Sequence, residues 1–183
     1  MSQRGIGMAG RAAVRMMAVM VCMSAVPVSA QTASAQIVPA PTAADLAAVF
    51  AAAGDVSALI AKARAERKPD QPNFVQPVVK SSGYTLNLEY RWPGLKAPAS
   101  VHDADAEIFF VVEGTGTAVT GGTLENGKRT NPANMSGTGI AGGETRRLSK
   151  GDVLFVPASS PHWFDAVDGP LVMLSLHVQK TFR

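Results

Sequence analysis

Cysteine is nearly missing from this chain of 183 residues: the single one, Cys22, lies within the apolar run Met16–Val28. That run follows Met1–Arg15, which has no acid and carries Arg4, Arg11 and Arg15, and it precedes the small residues Ser29-Ala30. Basic, then apolar, then small is the order of a secretory signal peptide, and the apolar part is too short to span a bilayer. Residues 1–30 are therefore expected to be removed, with cleavage after Ala30 or, alternatively, after Ala35. Without Cys22 the mature chain has no thiol, which excludes disulfides and cysteine-ligated metal centres. Val21 stands where lipidation needs a small residue, so no stable membrane anchor is expected. Arg11 and Arg15 are not adjacent, which argues against twin-arginine export. The expected destination is periplasmic or secreted.

An excess of charge is also lacking. The formal net charge of +3 is accounted for by the three leader arginines, and the remaining 14 basic residues match 14 acidic ones. Such a balance gives no support for a nucleic-acid or anionic-membrane partner. Histidine is scarce too, with His102, His162 and His177 as the three in the chain.

What is present divides into three stretches. Residues 31–41, rich in Ala, Thr, Ser and Pro, read as a flexible tether. Residues 42–68 read as a helical extension. Thr42 is expected to cap a helix through Ala43–Ala53, and Asp55 a second through Val56–Arg67, with basic residues late in the second where the helix dipole favours them. Their apolar residues fall at helical spacing and are expected to pack on the main body.

From residue 69 to 183, short β-branched and aromatic runs alternate with Gly, Pro and Asn clusters, the texture of a sandwich or barrel. Strands are expected at Phe74–Lys80, Tyr84–Arg91, Ile108–Glu113, Thr115–Thr120, Thr138–Ala141, Thr145–Leu148, Val153–Val156 and Leu171–Val178. The polar stretch Glu125–Gly137 reads as a long hairpin loop at the rim, or as a flap over a substrate.

Two motifs stand out. His102 is followed after four residues by Glu107 and after six more by Gly114; some sixty positions beyond His102, Gly151, Pro157 and His162 occur in order. Two imidazoles and a carboxylate suit a divalent transition metal. In spacing and order these stretches resemble the two signature motifs of the cupin family, over roughly Tyr84 to Val178. Asn87–Trp92, Gly121–Leu124 and Pro161–Phe164 are similar to bacterial cupin-domain proteins. The resemblance implies an all-β chain: a single-domain cupin jelly-roll barrel behind the short N-terminal helical extension.

The resemblance also implies a pocket in which His102, Glu107 and His162 hold one divalent metal ion (iron, manganese, zinc or nickel). Three positions depart from the family pattern: Ser100 stands where its first His would be, Ser159 replaces a Gly, and Ala166 an Asn. Asp103 and Asp105 are candidate substitutes for the lost ligand, though such positions also favour Asp as a turn residue. His177 shares a strand face with Leu171, Met173 and Ser175, so it can reach inward as a fourth ligand or base, or simply be held by hydrogen bonds near the strand end. Arg91, Ser100, Trp163 and His177 are the candidate substrate-binding residues; Arg91 can meet a carboxylate in the pocket or, alternatively, form a surface salt bridge. Two function classes follow: a metal-dependent enzyme of dioxygenase, isomerase or lyase type acting on a small molecule, and a non-catalytic module that captures a ligand or metal. A homodimer is expected by analogy with the family.

Overall fold

The computed structural model describes residues 42–43, 47–81 and 83–179, all within the compact unit Ala40–Arg183. The expected leader (1–30) and tether (31–41) lie outside the described residues. Within them, one helix, α1 (Ala53–Glu66), precedes β1 (Asn73–Ser81), β2 (Tyr84–Arg91), β3 (Ala99–His102), β4 (Asp105–Glu113), β5 (Thr115–Thr120), β6 (Thr123–Glu125) and β7 (Lys128–Asn131). Then come β8 (Asn134–Gly137), β9 (Gly139–Ala141), β10 (Glu144–Ser149), β11 (Val153–Val156), β12 (His162–Val167) and β13 (Leu171–Gln179).

The strands form a five-stranded sheet, β1-β2-β13-β4-β11, and a six-stranded sheet, β10-β5-β12-β3-β8-β7, with β6 and β9 paired apart. Phe109, Val111, Leu154, Leu171 and Met173 from the first sheet meet Ala118, Leu148 and Phe164 from the second in one core. The result is a jelly-roll sandwich. It differs from the expected barrel in that the two sheets stay separate and do not close into a continuous ring.

The β2 sequence Asn87-Leu88-Glu89-Tyr90-Arg91 alternates with period two, so polar and apolar side chains go to opposite faces. Here both faces are covered. Leu88 and Tyr90 join Phe74, Val172 and the helix residues Ile60 and Ala63 in a second cluster. Asn87, Glu89 and Arg91 turn inward to a cavity between the sheets.

The helical extension is shorter than expected. Residues 42–43 and 47–50 are not helical, and Phe50 is 86% exposed. Without a surface to bury its apolar face, so short a helix is not sustained in water. Asp55 also lies inside α1, not before it: Ala52 is the N-cap, and the Asp55 carboxylate reaches back to accept from the Ala52 N–H at 2.8 Å. No helix among the described residues is long and apolar enough to cross a membrane.

The expected loop Glu125–Gly137 contains two strands, β7 and β8, paired as a hairpin. β8 continues the six-stranded sheet by pairing with β3, which sets Asn134 opposite His102. The expected strands omitted β3, β6, β7, β8 and β12. All are six residues or shorter; β7 is exposed throughout and has no apolar alternation, while β3 and β12 alternate over only four to six residues.

Candidate metal centre

Each sheet supplies two members of a cluster centred on Glu107. Glu107 and His177 are partners in the β13–β4 register, while His102 ends β3 and His162 opens β12 in the facing sheet. Glu107 is buried at 4% exposure. Its Oε1 lies 3.2 Å from His177 Nε2, and its Oε2 lies 3.4 Å from His102 Nε2 and 3.3 Å from His162 Nε2. Ligand atoms of His102, Glu107 and His177 all fall within 4.8 Å of one another. The His102 ring centroid is 4.7 Å from that of His177 and 5.2 Å from that of His162.

The far side of two rings is also engaged. His102 Nδ1 lies 2.8 Å from Asn134 Oδ1, so the proton there belongs on Nδ1 and Nε2 turns to the carboxylate. His177 Nδ1 is 3.8 Å from Asp105 Oδ2, which gives Asp105 an electrostatic place beside the cluster. Asp103 is engaged elsewhere, in an ion pair with Arg129.

These neighbours set the charges. Burial works against ionisation of Glu107, but hydrogen bonds from His102, His162 and His177 overcome it and hold its pKa far below the carboxylate range. Burial opposes the charge on His102 as well; Glu107 and Asn134 outweigh it, and the pKa is raised. For His177 the hydrogen bond with Glu107 dominates over burial, and its pKa is raised too.

The turn before His162 ties the two motifs together. Ser159, in the place of the family's Gly, has φ 65°, a left-handed conformation that glycine adopts without cost. Its backbone N–H donates to His102 O at 2.7 Å and its Oγ to Asp103 O at 3.2 Å. Gly114 at the other motif's end has φ 84°, and a Cβ there would lie 1.9 Å from Pro170 O.

The cluster opens on a cavity of about 230 Å³ lined by Ser100, Arg91 and Phe109, and by the three histidines among others. Of the candidate substrate-binding residues, Arg91, Ser100 and His177 line it. Ser100 pairs with His162 across β3–β12. Trp163 lies outside the lining: its Nε1–H donates to Ala97 O at 2.8 Å, and Lys96 Nζ sits 5.0 Å from the ring centroid. The lining also includes Asn73, Asn87, Glu89 and Ser175, none of them among the expected substrate-binding residues. For Asn87 and Glu89 the available signal was the polar alternation of β2, which puts both on one face with Arg91.

Three imidazole nitrogens converging on one buried carboxylate, with a ring fixed from behind by Asn134, fit a divalent transition metal. The residues that can hold it are His102, Glu107 and His177, with His162 on the same carboxylate from the facing sheet.

A family model described as Cupin matches residues 76–181. No curated protein matches the chain in sequence. Solved structures with a similar fold include TT1209 from Thermus thermophilus, 20% identical over 64% of this chain and 93% of that one, with a TM-score of 0.47. KdgF from Halomonas sp. is 16% identical over 63% of this chain and 87% of its own, with a TM-score of 0.46. The Cnp3 cupin domain of Schizosaccharomyces pombe is 12% identical over 64% and 72%, with a TM-score of 0.45. With the matched model spanning both motifs and the sandwich that brings them together, the chain belongs to the cupin family.

Proposed function

We propose that this cupin binds one divalent transition metal through His102, Glu107 and His177, with His162 as a further donor. With that ion it acts on a small polar organic molecule as an enzyme of isomerase, lyase or dioxygenase type. The observation that carries the reading is the convergence of the four side chains, two from each sheet, on a cavity that has other inward polar groups. When bound, the cation would supply Lewis acidity to an oxygen of the ligand. Glu107 contributes a fixed negative charge, since its depressed pKa unfits it for proton transfer near neutrality. Asn134 orients His102, and Phe109 packs 5.9 Å from His162, between centroids, on the apolar side.

Elemental analysis of the protein purified without chelators tests this, beside His102→Ala and His177→Ala. About one metal per chain, lost in both variants, supports the centre. Undiminished metal in His177→Ala would remove His177 from it. A second reading, non-catalytic capture, is favoured by Ser100, which offers no imidazole beside His162. Metal-loaded protein that binds small ligands but leaves their NMR spectra chemically unchanged would favour capture.

We further propose export to the periplasm or beyond and assembly as a homodimer. The leader pattern supports the first; a mature N-terminus at Gln31 or Gln36 in a periplasmic fraction is the expected result. The second is supported by exposed Phe110, Val153 and Phe155 on β4 and the edge strand β11, an apolar surface of the kind that pairing covers. Light scattering on Phe155→Ser should then report a smaller species than wild type.

A further inference from the structure

The cavity has a second polar wall that the metal centre does not use. Asn73 and Arg91 are partners across β1–β2, and Glu89 lies two residues from Arg91 on the same face. Asn73 Nδ2 donates to Glu89 Oε2 at 2.9 Å, and Arg91 Nη2 donates to the same oxygen at 2.7 Å. The Arg91 guanidinium lies over the Phe164 ring, 4.1 Å from its centroid. Because a carboxylate only accepts, the Asn73 amide must present its nitrogen to Glu89 and turn Oδ1 away.

That arrangement leaves Asn73 Oδ1 and Arg91 Nε buried with no protein partner, and Ser175 Oγ, on a residue 1% exposed, is in the same condition. Buried polar atoms are nearly always paired, so these three, with His162 Nδ1 as a fourth from the facing sheet, mark a cavity that a ligand completes. Their chemistry narrows the ligand. Arg91 Nε–H donates and Asn73 Oδ1 accepts. A carboxylate would satisfy the first and be repelled by the second, and the Arg91 charge is already matched by Glu89. A hydroxyl group satisfies both, and Ser175 Oγ can serve another. The cavity of about 230 Å³ is smaller than the ~300–1,000 Å³ of pockets for drug-sized molecules, so the ligand is small.

We propose that Asn73, Arg91 and Ser175 form a hydroxyl-reading subsite for a small polyhydroxylated molecule, an open-chain polyol or sugar acid. This names a substrate class for the function proposed above, and it rests on that reading only for what the ligand's far end meets at the histidines. Of the two expectations for Arg91, the salt bridge is met by Glu89, inside the cavity and not at the surface, and the ligand carboxylate gives way to a hydroxyl.

The test titrates the protein, with and without zinc, with erythritol, erythronate and hydroxyl-free butyrate. Calorimetry and ¹H–¹⁵N spectra of the arginine Nε–H and asparagine amide groups give the readout. Erythritol and erythronate should move the Arg91 Nε–H signal, and butyrate should not. Asn73→Ala and Arg91→Lys should each weaken erythritol binding about tenfold or more, as expected for losing a buried hydrogen-bond partner. If Arg91→Lys does not fold, Asn73→Ala, which keeps the Arg91–Glu89 ion pair, decides alone. Absence of erythritol and erythronate binding in the wild type, or binding that Asn73→Ala leaves unchanged, overturns the proposal. The zinc titration judges the metal centre separately: erythritol bound at Arg91 in protein that takes no zinc upholds the subsite and removes the metal enzyme.

Discussion

Metal uptake should release protons, and the number follows from the two rings held on both sides. In the metal-free cluster, His102 faces Glu107 through Nε2 and Asn134 Oδ1 through Nδ1. His177 faces Glu107 through Nε2 and Asp105 through Nδ1. Each ring therefore has an acceptor or a negative charge at both nitrogens, and both pKa values are raised. Below the ordinary imidazole value of ~6.5 both rings carry the extra proton, and a metal at Nε2 must displace it. Glu107, with its pKa depressed, stays ionised and contributes none. Two displaced protons make the affinity rise about a hundredfold per pH unit in that range, levelling once pH exceeds the raised values. Zinc calorimetry in buffers of different ionisation enthalpy counts the protons. His177→Gln should lower the count by about one. Zinc affinity that is flat across the same range, with no proton released, would refute the double engagement of the rings. The same groups set the stability of the metal-free protein. The contribution of His102 and His177 is complete below ~6.5 and fades as pH rises through their raised folded values; that of Glu107 is present above ~4.3 and is lost as pH falls. Metal-free protein should therefore be most stable in mildly acidic buffer, and zinc should extend that stability toward alkaline pH.

Asn134→Ala leaves His102 free to rotate and should weaken zinc about 10–100-fold, read by competition with a chromogenic chelator. Gly114→Ala forces a side chain into a left-handed backbone and against Pro170 O; urea unfolding should show a loss of about 3 kcal/mol or more. Since Ser100 lies opposite His162 in the cavity lining, Ser100→His should restore metal content to His177→Ala, measured by elemental analysis. Failure to restore it would show that the two positions do not serve the same ion.

Much of the site was legible because it depends on local geometry. The spacing of His102, Glu107 and Gly114 survives in the structure as the end of β3, the start of β4 and the turn after it. The inward parity of His177 also followed from alternation along β13. What alternation does not specify is which strand lies opposite, so the pairing of His177 with Glu107 needed the β13–β4 register. Asn134 was hidden for a different reason. It sits in a polar hairpin with no apolar signal, and only the pairing of β8 with β3 carries it to His102. The expected first helix failed because its propensity had no surface to act on, Phe50 being left exposed. On β2 the polar residues were legible as one face, but a strand buried on both faces turns that face into the wall of a cavity.

The division of the cluster between the sheets gives the metal centre a structural consequence. His102 and His162 belong to the six-stranded sheet, Glu107 and His177 to the five-stranded one. At this end of the sandwich the interior is polar, whereas Val111, Leu171 and Met173 fill the other end. An ion held by donors from both sheets would cross-link the end that lacks apolar packing. Unfolding separates those donors, so the ion binds the native state selectively and raises stability by linkage. By linkage the ion adds the same free energy whatever the state of the far core, so its effect on folding is easiest to read in a variant whose apolar end is weakened. Met173→Ala, which hollows the far core, should thus remain folded with zinc at temperatures where its metal-free form melts. Equal melting with and without zinc would mean that the four side chains do not bridge the sheets through a common ion.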